Sequence, residues 1–195
     1  RQRQMCIRDS GEPNDGLRAM FTMMNNARLG VGGQGIGVAE AAFQHSTEYA
    51  LNRKQGKSTI QNKHGTIIDH ADVRRMLISM RADIFASRSI ELENAKAIDM
   101  ANATGEPEWI NKAAFLTPIT KVFGTEIGIN ISNLGVQIHG GMGFIEETGA
   151  AQFSRDVRVT AIYEGTNGIQ AMDLVGRKMM DKRQTENANI NQIKE

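Results

Sequence analysis

The stretch Leu116-Thr-Pro-Ile-Thr-Lys-Val-Phe-Gly-Thr-Glu-Ile-Gly-Ile-Asn-Ile-Ser-Asn-Leu-Gly-Val-Gln-Ile138 decides the fold. Leu116, Ile119, Phe123, Ile127, Ile131, Leu134 and Ile138 recur at intervals of three or four residues, the spacing of one face of an α-helix. Pro118 is awkward inside such a helix and marks a start or a kink near Thr117. Gly140-Gly141-Met142-Gly143 ends it. Upstream, Val73, Met76, Leu77, Met80 and Ile84 mark the apolar face of a second helix running to about Ala101, with Asp69 as a plausible cap and a turn over Ala103-Thr-Gly-Glu-Pro107. Further upstream, residues from about Leu17 to Arg53 read as a long helix whose face is Leu17, Met20, Phe21, Met24, Arg28 and Val31. The segment Lys54–Ile68, with Gly56, Ser58, Asn62, His64 and Gly65, reads as a loop. Downstream, 151–161 and 166–180 read as two shorter helices, broken around Tyr163-Glu164-Gly165. No segment has a strand pattern. Long helices with short connections predict an all-α, up-and-down antiparallel helical bundle, with the 11 methionines filling gaps between helices.

A chain of 195 residues, 40% hydrophobic and 23% charged, is long enough to bury a core. Formal net charge is +1 and the basic residues form no long run, which disfavours a nucleic-acid partner. No apolar run approaches the ~20 residues that span a bilayer. A single cysteine, Cys6, excludes an intrachain disulfide and fits a reducing compartment such as the cytoplasm. His45, His64, His70 and His139 are scattered without metal-ligand spacing, so no metal is expected. Residues 1–10 have no apolar segment and are no secretory signal; they read as a foreign or disordered leader on a truncated gene, with 181–195 a polar tail.

Five motifs bear on chemistry. Gly30-Val31-Gly32-Gly33-Gln34-Gly35 matches the dinucleotide fingerprint literally, but no strand precedes it; small residues that let two helices approach closely are the better reading. Asn25-Asn26-Ala27-Arg28 sets two amides and a guanidinium on a helix, as a solvated face or as contacts to a polar ligand. Arg53-Lys54-Gln55-Gly56 puts cations at a helix C-terminus, for the dipole or for a phosphate. Gln137-Ile138-His139-Gly140-Gly141-Met142-Gly143 holds more glycines than a helix stop needs and suggests backbone pressed against a flat or phosphorylated ligand. Tyr163-Glu164-Gly165-Thr166-Asn167 sets a carboxylate between two helices, as ordinary capping or as a base beside a glycine that lets substrate come close.

In this order these motifs resemble the acyl-CoA dehydrogenases, specifically their C-terminal all-helical domain. The signatures are Arg28 before the small-residue helix, Arg53 with Gln55-Gly56, Gln137 with Gly140-Gly141 and Gly143, Arg155-Asp156, and Ile162-Tyr163-Glu164-Gly165-Thr166. They cover about residues 11–180. The wording around Met23 to Arg28, Val73 to Met76, Gly141 to Ala151 and Ile169 to Leu174 is most similar to the bacterial branch that contains 3-methylmercaptopropionyl-CoA dehydrogenase.

The resemblance implies an FAD enzyme that oxidises an acyl-CoA thioester to the trans-2-enoyl-CoA and passes electrons to an electron-transferring flavoprotein. Glu164 would remove the α-proton while hydride leaves the β-carbon for flavin N5. A thioester α-proton is far too weakly acidic for a carboxylate of ordinary pKa, ~4, so such a site must exclude water, favour the protonated carboxyl and stabilise the enolate oxygen. The N–H of Glu164 would be one enolate donor. Arg28, Asn25 and Gly165 would line the substrate side. Arg53, Gln55, Gln137, Gly140 and Gly141 would meet the FAD of a neighbouring subunit, and Thr166 and Asn167 the subunit's own FAD. The family is a homo-oligomer, usually a tetramer, through this domain. Its N-terminal helical and middle β-domains are absent from the sequence, so the isolated chain is expected to bind FAD poorly. An acyl-CoA oxidase of the same fold, and a non-catalytic helical assembly module, remain as alternatives.

Overall fold

A computed structural model of the chain describes residues 14–58, 60 and 64–180. The expected leader 1–10, with Cys6, and the expected tail 181–195 lie outside the described residues. The fold is all-α. The core elements are three long helices, α1 (Gly16–Asn52), α2 (Ala71–Thr104) and α3 (Pro107–His139); only Gly105 and Glu106 separate α2 from α3, while residues 53–70 lie between α1 and α2. After them come the single turn α4 (Gly141–Phe144), α5 (Ala150–Arg158) and α6 (Asn167–Asp173), which runs on into a π-helical turn, Leu174–Met179.

The expected second helix holds: Met76, Leu77, Met80 and Ile84 are buried, packed with Ala39, Ala42 and Ala50 of α1 and Ile127, Ile131 and Ile138 of α3. Met76 and Met80 do fill this core, whereas Met20, Met23, Met142, Met172, Met179 and Met180 are exposed.

Four expectations need correction. Asp69 does not cap α2; it lies buried in a 3-10 turn, Ile67–Asp69, and His70 holds the cap position without a side-chain bond to the helix. The segment 54–66 is not a plain loop. Lys54–Lys57 (β1) and His64–Thr66 (β2) pair antiparallel with an irregular register, Lys54 opposite Thr66 and Lys57 opposite His64. All four β1 residues are exposed, so no alternation of apolar residues announces the strand. Helix α3 starts at Pro107, in the first-turn position where proline's missing N–H costs nothing, and Pro118 sits inside the helix. Finally, the first turns of α1 are not core: Leu17, Met20 and Phe21 are exposed, and the inward face begins at Arg28 and Val31.

α3 buries two faces. Its second face is small and polar: Thr117, Thr120, Gly124, Thr125, Gly128, Ser132 and Gly135. Thr117 and Thr125 satisfy their hydroxyls by donating to the carbonyls of Ala113 (2.7 Å) and Lys121 (2.8 Å), four residues back. This face meets the glycines of α1, the most extensive helix pairing in the molecule. A Cβ on Gly35 would lie 2.4 Å from the Gly124 carbonyl oxygen, and one on Gly128 would lie 2.7 Å from that of Gly35. The contact is therefore backbone on backbone, and the glycine run of α1 is a helix-crossing surface, as the sequence suggested.

Candidate active site

The break between α5 and α6 has an unusual backbone. Glu164 has φ +53° and Gly165 φ +84°. A left-handed glutamate costs about 1–2 kcal/mol and persists only where its surroundings hold it. Arg28, buried on α1, donates from Nε to the Glu164 carbonyl (3.3 Å) and from Nη1 to Asn25 Oδ1 (2.8 Å). Gln170, fully buried on α6, donates to the Gly165 carbonyl (3.4 Å). A Cβ on Gly165 would lie 2.6 Å from Gln170 Nε2 and 3.3 Å from Arg28 Nη2, so this turn admits only glycine. Thr166 caps α6 by accepting from the Ile169 N–H (3.3 Å), and the Tyr163 hydroxyl donates to Gln34 of α1. The Glu164 side chain is half-buried, and no side chain among the described residues pairs with its carboxylate. The structure thus brings Asn25, Arg28, Glu164, Gly165, Thr166 and Asn167 together.

Behind the turn lies a group that sequence reasoning missed. Lys121 of α3 has no exposed surface and donates to Asn167 Oδ1 (2.8 Å). The Asn167 amide nitrogen donates to Thr125 Oγ1 (3.1 Å) and Glu126 Oε1 (2.7 Å). Burial, reinforced by the Arg28 charge and opposed by Glu126, pulls the Lys121 pKa down to about 8. Lys121 lies within a helix of mostly apolar and small residues, and periodicity gives no sign that its ammonium faces inward.

The remaining predicted residues gather elsewhere. Arg53, Gln55, Gln137 and Gly140 line one cavity with Tyr49, His70 and His139; Gly141, next in the chain, is not among its lining residues. From Lys121 to Gly140 along α3 is about 28 Å at 1.5 Å per residue, so this cluster and the Glu164 turn are separate places on one chain. Gly140 has a positive φ, +60°, yet a Cβ on Gly140 or Gly141 would meet nothing within 4 Å. Gly143 differs: its Cβ would lie 2.3 Å from the Val136 carbonyl oxygen, so packing alone demands it. His139 is buried and stacked between His45 (4.7 Å) and Tyr49 (4.2 Å). Its Nδ1–H donates to the Gly135 carbonyl (2.7 Å), and its buried Nε2 has no partner among the described residues. Burial, with a smaller push from His45, lowers the His139 pKa against the pull of that carbonyl. The histidines that look scattered in sequence therefore include a stacked pair from α1 and α3.

Among the described residues no group of three or more His, Cys, Asp or Glu could hold a metal ion, and no helix is long and apolar enough to cross a membrane. What the arrangement can do is present one unpaired carboxylate from a fixed backbone turn and, at its other end, offer arginine, amides and bare backbone to a ligand.

Comparison with known proteins bears on both places. Residues 14–180 match the family model described as acyl-CoA dehydrogenase, C-terminal domain. The chain is 49% identical over 175 residues to 3-methylmercaptopropionyl-CoA dehydrogenase of Ruegeria pomeroyi, covering 87% of this chain and 30% of that one. Among solved structures it is similar to butyryl-CoA dehydrogenase from Megasphaera elsdenii, with TM-score 0.71 and 29% identity over 85% of this chain and 39% of that one. A chain in a structure of the electron transferring flavoprotein of Acidaminococcus fermentans shares the fold, with TM-score 0.74 and 24% identity over 88% of this chain and 40% of that one. The chain thus spans well under half the length of the relatives it matches.

Proposed function

We propose that this chain, which belongs to the acyl-CoA dehydrogenase family as a C-terminal helical domain, carries the α-proton base, Glu164, of an enzyme that dehydrogenates an acyl-CoA thioester to the trans-2-enoyl-CoA. One observation carries the reading: a glutamate held left-handed, its carbonyl bonded to a buried arginine and its carboxylate unpaired. A base for carbon acids needs fixed placement as well as proton affinity, because proximity and orientation lower the barrier before any proton moves. Arg28 supplies that fixity from the carbonyl side and leaves the carboxylate free. Among the described residues no backbone carbonyl accepts from the Glu164 N–H, which leaves it available to the enolate oxygen. Asn25 and Arg28, bonded to each other, would line the substrate side with Gly165.

FAD, when bound, would supply the acceptor for the β-hydride. The residues present fit such a group. Arg53, Gln55, Gln137 and Gly140 offer a cation, amides and bare backbone around one cavity with Gly141 next in the chain, open space stands where the Gly140 and Gly141 side chains would be, and the buried His139 Nε2 lacks a partner among the described residues. At the Glu164 end, Thr166 and Asn167 open α6. The Asn167 side chain is already engaged by Lys121, Thr125 and Glu126, so its contribution to FAD would come from its backbone. The ~28 Å between the two clusters supports a homo-oligomer, dimer or tetramer, in which the Arg53 cluster serves a neighbour's FAD. On this reading the whole protein carries N-terminal helical and middle β-domains, resides in the bacterial cytoplasm and passes electrons to an electron-transferring flavoprotein.

The test is Glu164→Gln in the full-length enzyme. Turnover of acyl-CoA should fall by about 10²–10⁴-fold with flavin content retained. Near-normal dehydrogenation by the variant would remove Glu164 as the base.

A further inference from the structure

Lys121 is the one fully buried cation of the described residues, and the mechanism above gives it no part. Its position is specific. The turn Glu164–Asn167 is held at its first residue by Arg28 from α1 and at its last by Lys121 from α3. We infer that Lys121 is a positioning residue for the Glu164 base: through its 2.8 Å bond to Asn167 Oδ1 it fixes where α6 begins, and so fixes the left-handed turn that aims the carboxylate. The inference rests on the reading of Glu164 as the base.

Three observations support it. First, an ammonium without exposed surface is expensive to bury, and burial lowers its pKa toward neutrality. A lysine serving only to fill space there is worse than a methionine of similar length. Second, Asn167 is held on both sides of its amide. Its oxygen accepts from Lys121, and its nitrogen donates to Thr125 Oγ1 and Glu126 Oε1. This leaves the first residue of α6 without rotational freedom. Third, only Gly165 and Thr166 separate Asn167 from Glu164, and the left-handed φ of Glu164 must be imposed from both sides. Arg28 alone grips one side. Misplacement of a catalytic group by about 1 Å is enough to cost on the order of 10²-fold in rate.

The experiment uses the full-length flavoenzyme and three variants: Lys121→Met, Asn167→Leu and the double variant. The readouts are flavin content, thermal midpoint, kcat, KM, and the kinetic isotope effect with α-deuterated acyl-CoA. For Lys121→Met, kcat should fall about tenfold or more with KM within a few-fold. The α-deuterium isotope effect should rise, because proton abstraction by a badly aimed carboxylate becomes the slow step. The thermal midpoint should stay within a few degrees, since the buried charge is gone. The double variant removes the polar groups from both sides of the bond. Its kcat should stay as low as that of Lys121→Met, whatever its midpoint. Unchanged kcat in Lys121→Met overturns the inference. So does a double variant in which kcat and midpoint recover together, the signature of a purely structural bond. Glu164→Gln, run alongside, separates the two levels. If it is inactive while Lys121→Met behaves as wild type, only the role of Lys121 falls; if it turns over normally, the assignment of the base falls with it.

Discussion

Gly35→Ala tests the helix crossing on which both ends of the candidate site depend. The added methyl would lie 2.4 Å from the Gly124 carbonyl oxygen and 2.8 Å from Thr125 Cα, atoms of a helix backbone with no flexible end to swing away. Ordinary contact begins near 3.4 Å, so α1 and α3 must part by about 1 Å. Overpacking of this kind costs about 1–3 kcal/mol and more where the obstacle is rigid. Alanine's better helix propensity returns about 0.5–1 kcal/mol. The net expectation is a loss of about 2 kcal/mol, which for a chain of this size lowers Tm by roughly 4–8 °C. Gly37→Ala is the matched control on the same helix. A Cβ there meets nothing within 4 Å, so only the propensity gain remains, and Tm should rise by roughly 1–4 °C. Thermal unfolding of both variants, followed by far-ultraviolet circular dichroism, makes the comparison. Equal stability of Gly35→Ala and Gly37→Ala would refute a backbone-on-backbone contact.

Two further expectations follow from the same structure. Glu164→Gly relieves a left-handed glutamate, so Tm should hold or rise by the equivalent of up to about 1 kcal/mol while turnover is lost; a clear fall in Tm would mean that Glu164 is not strained. Because the folded pKa of His139 lies below its ordinary value, the unfolded chain takes up the proton first. Its contribution to stability is therefore complete above about pH 6.5 and is lost as pH falls below it; urea unfolding of His139→Phe between pH 7 and 5 should show a shallower loss than wild type, and an identical slope would clear His139 of the effect.

What could be read from the sequence follows from how each feature is encoded. The α2 face Met76, Leu77, Met80 and Ile84 was legible because one side of that helix is apolar and buried. The same rule failed at Leu17, Met20 and Phe21, which have the spacing but nothing packed over them among the described residues. It also missed the second face of α3, where contact is made by glycines and by threonines that satisfy themselves, so low hydrophobicity there marks close approach rather than exposure. The β1–β2 pair is invisible because β1 is wholly exposed. At the candidate site, the glycine beside the carboxylate was read as room for a substrate and not as part of a left-handed turn, and the bond from Arg28 to the Glu164 carbonyl, which joins distant parts of the chain, was not legible at all. Lys121 was out of reach by either route, since a lysine that faces inward looks in sequence like one that faces water.

The Arg28–Glu164 bond joins residues 136 positions apart, the two ends of the described fold. Contacts of that separation form late, because closure of so long a loop is unfavourable until the intervening helices have packed. Before then the segment around Glu164 is an ordinary stretch of chain, free to relax from the left-handed conformation that nothing yet enforces. The aimed carboxylate therefore arises only in a finished molecule. Its geometry is a readout of completed folding, and a chain stalled halfway, whatever its helix content, presents no base.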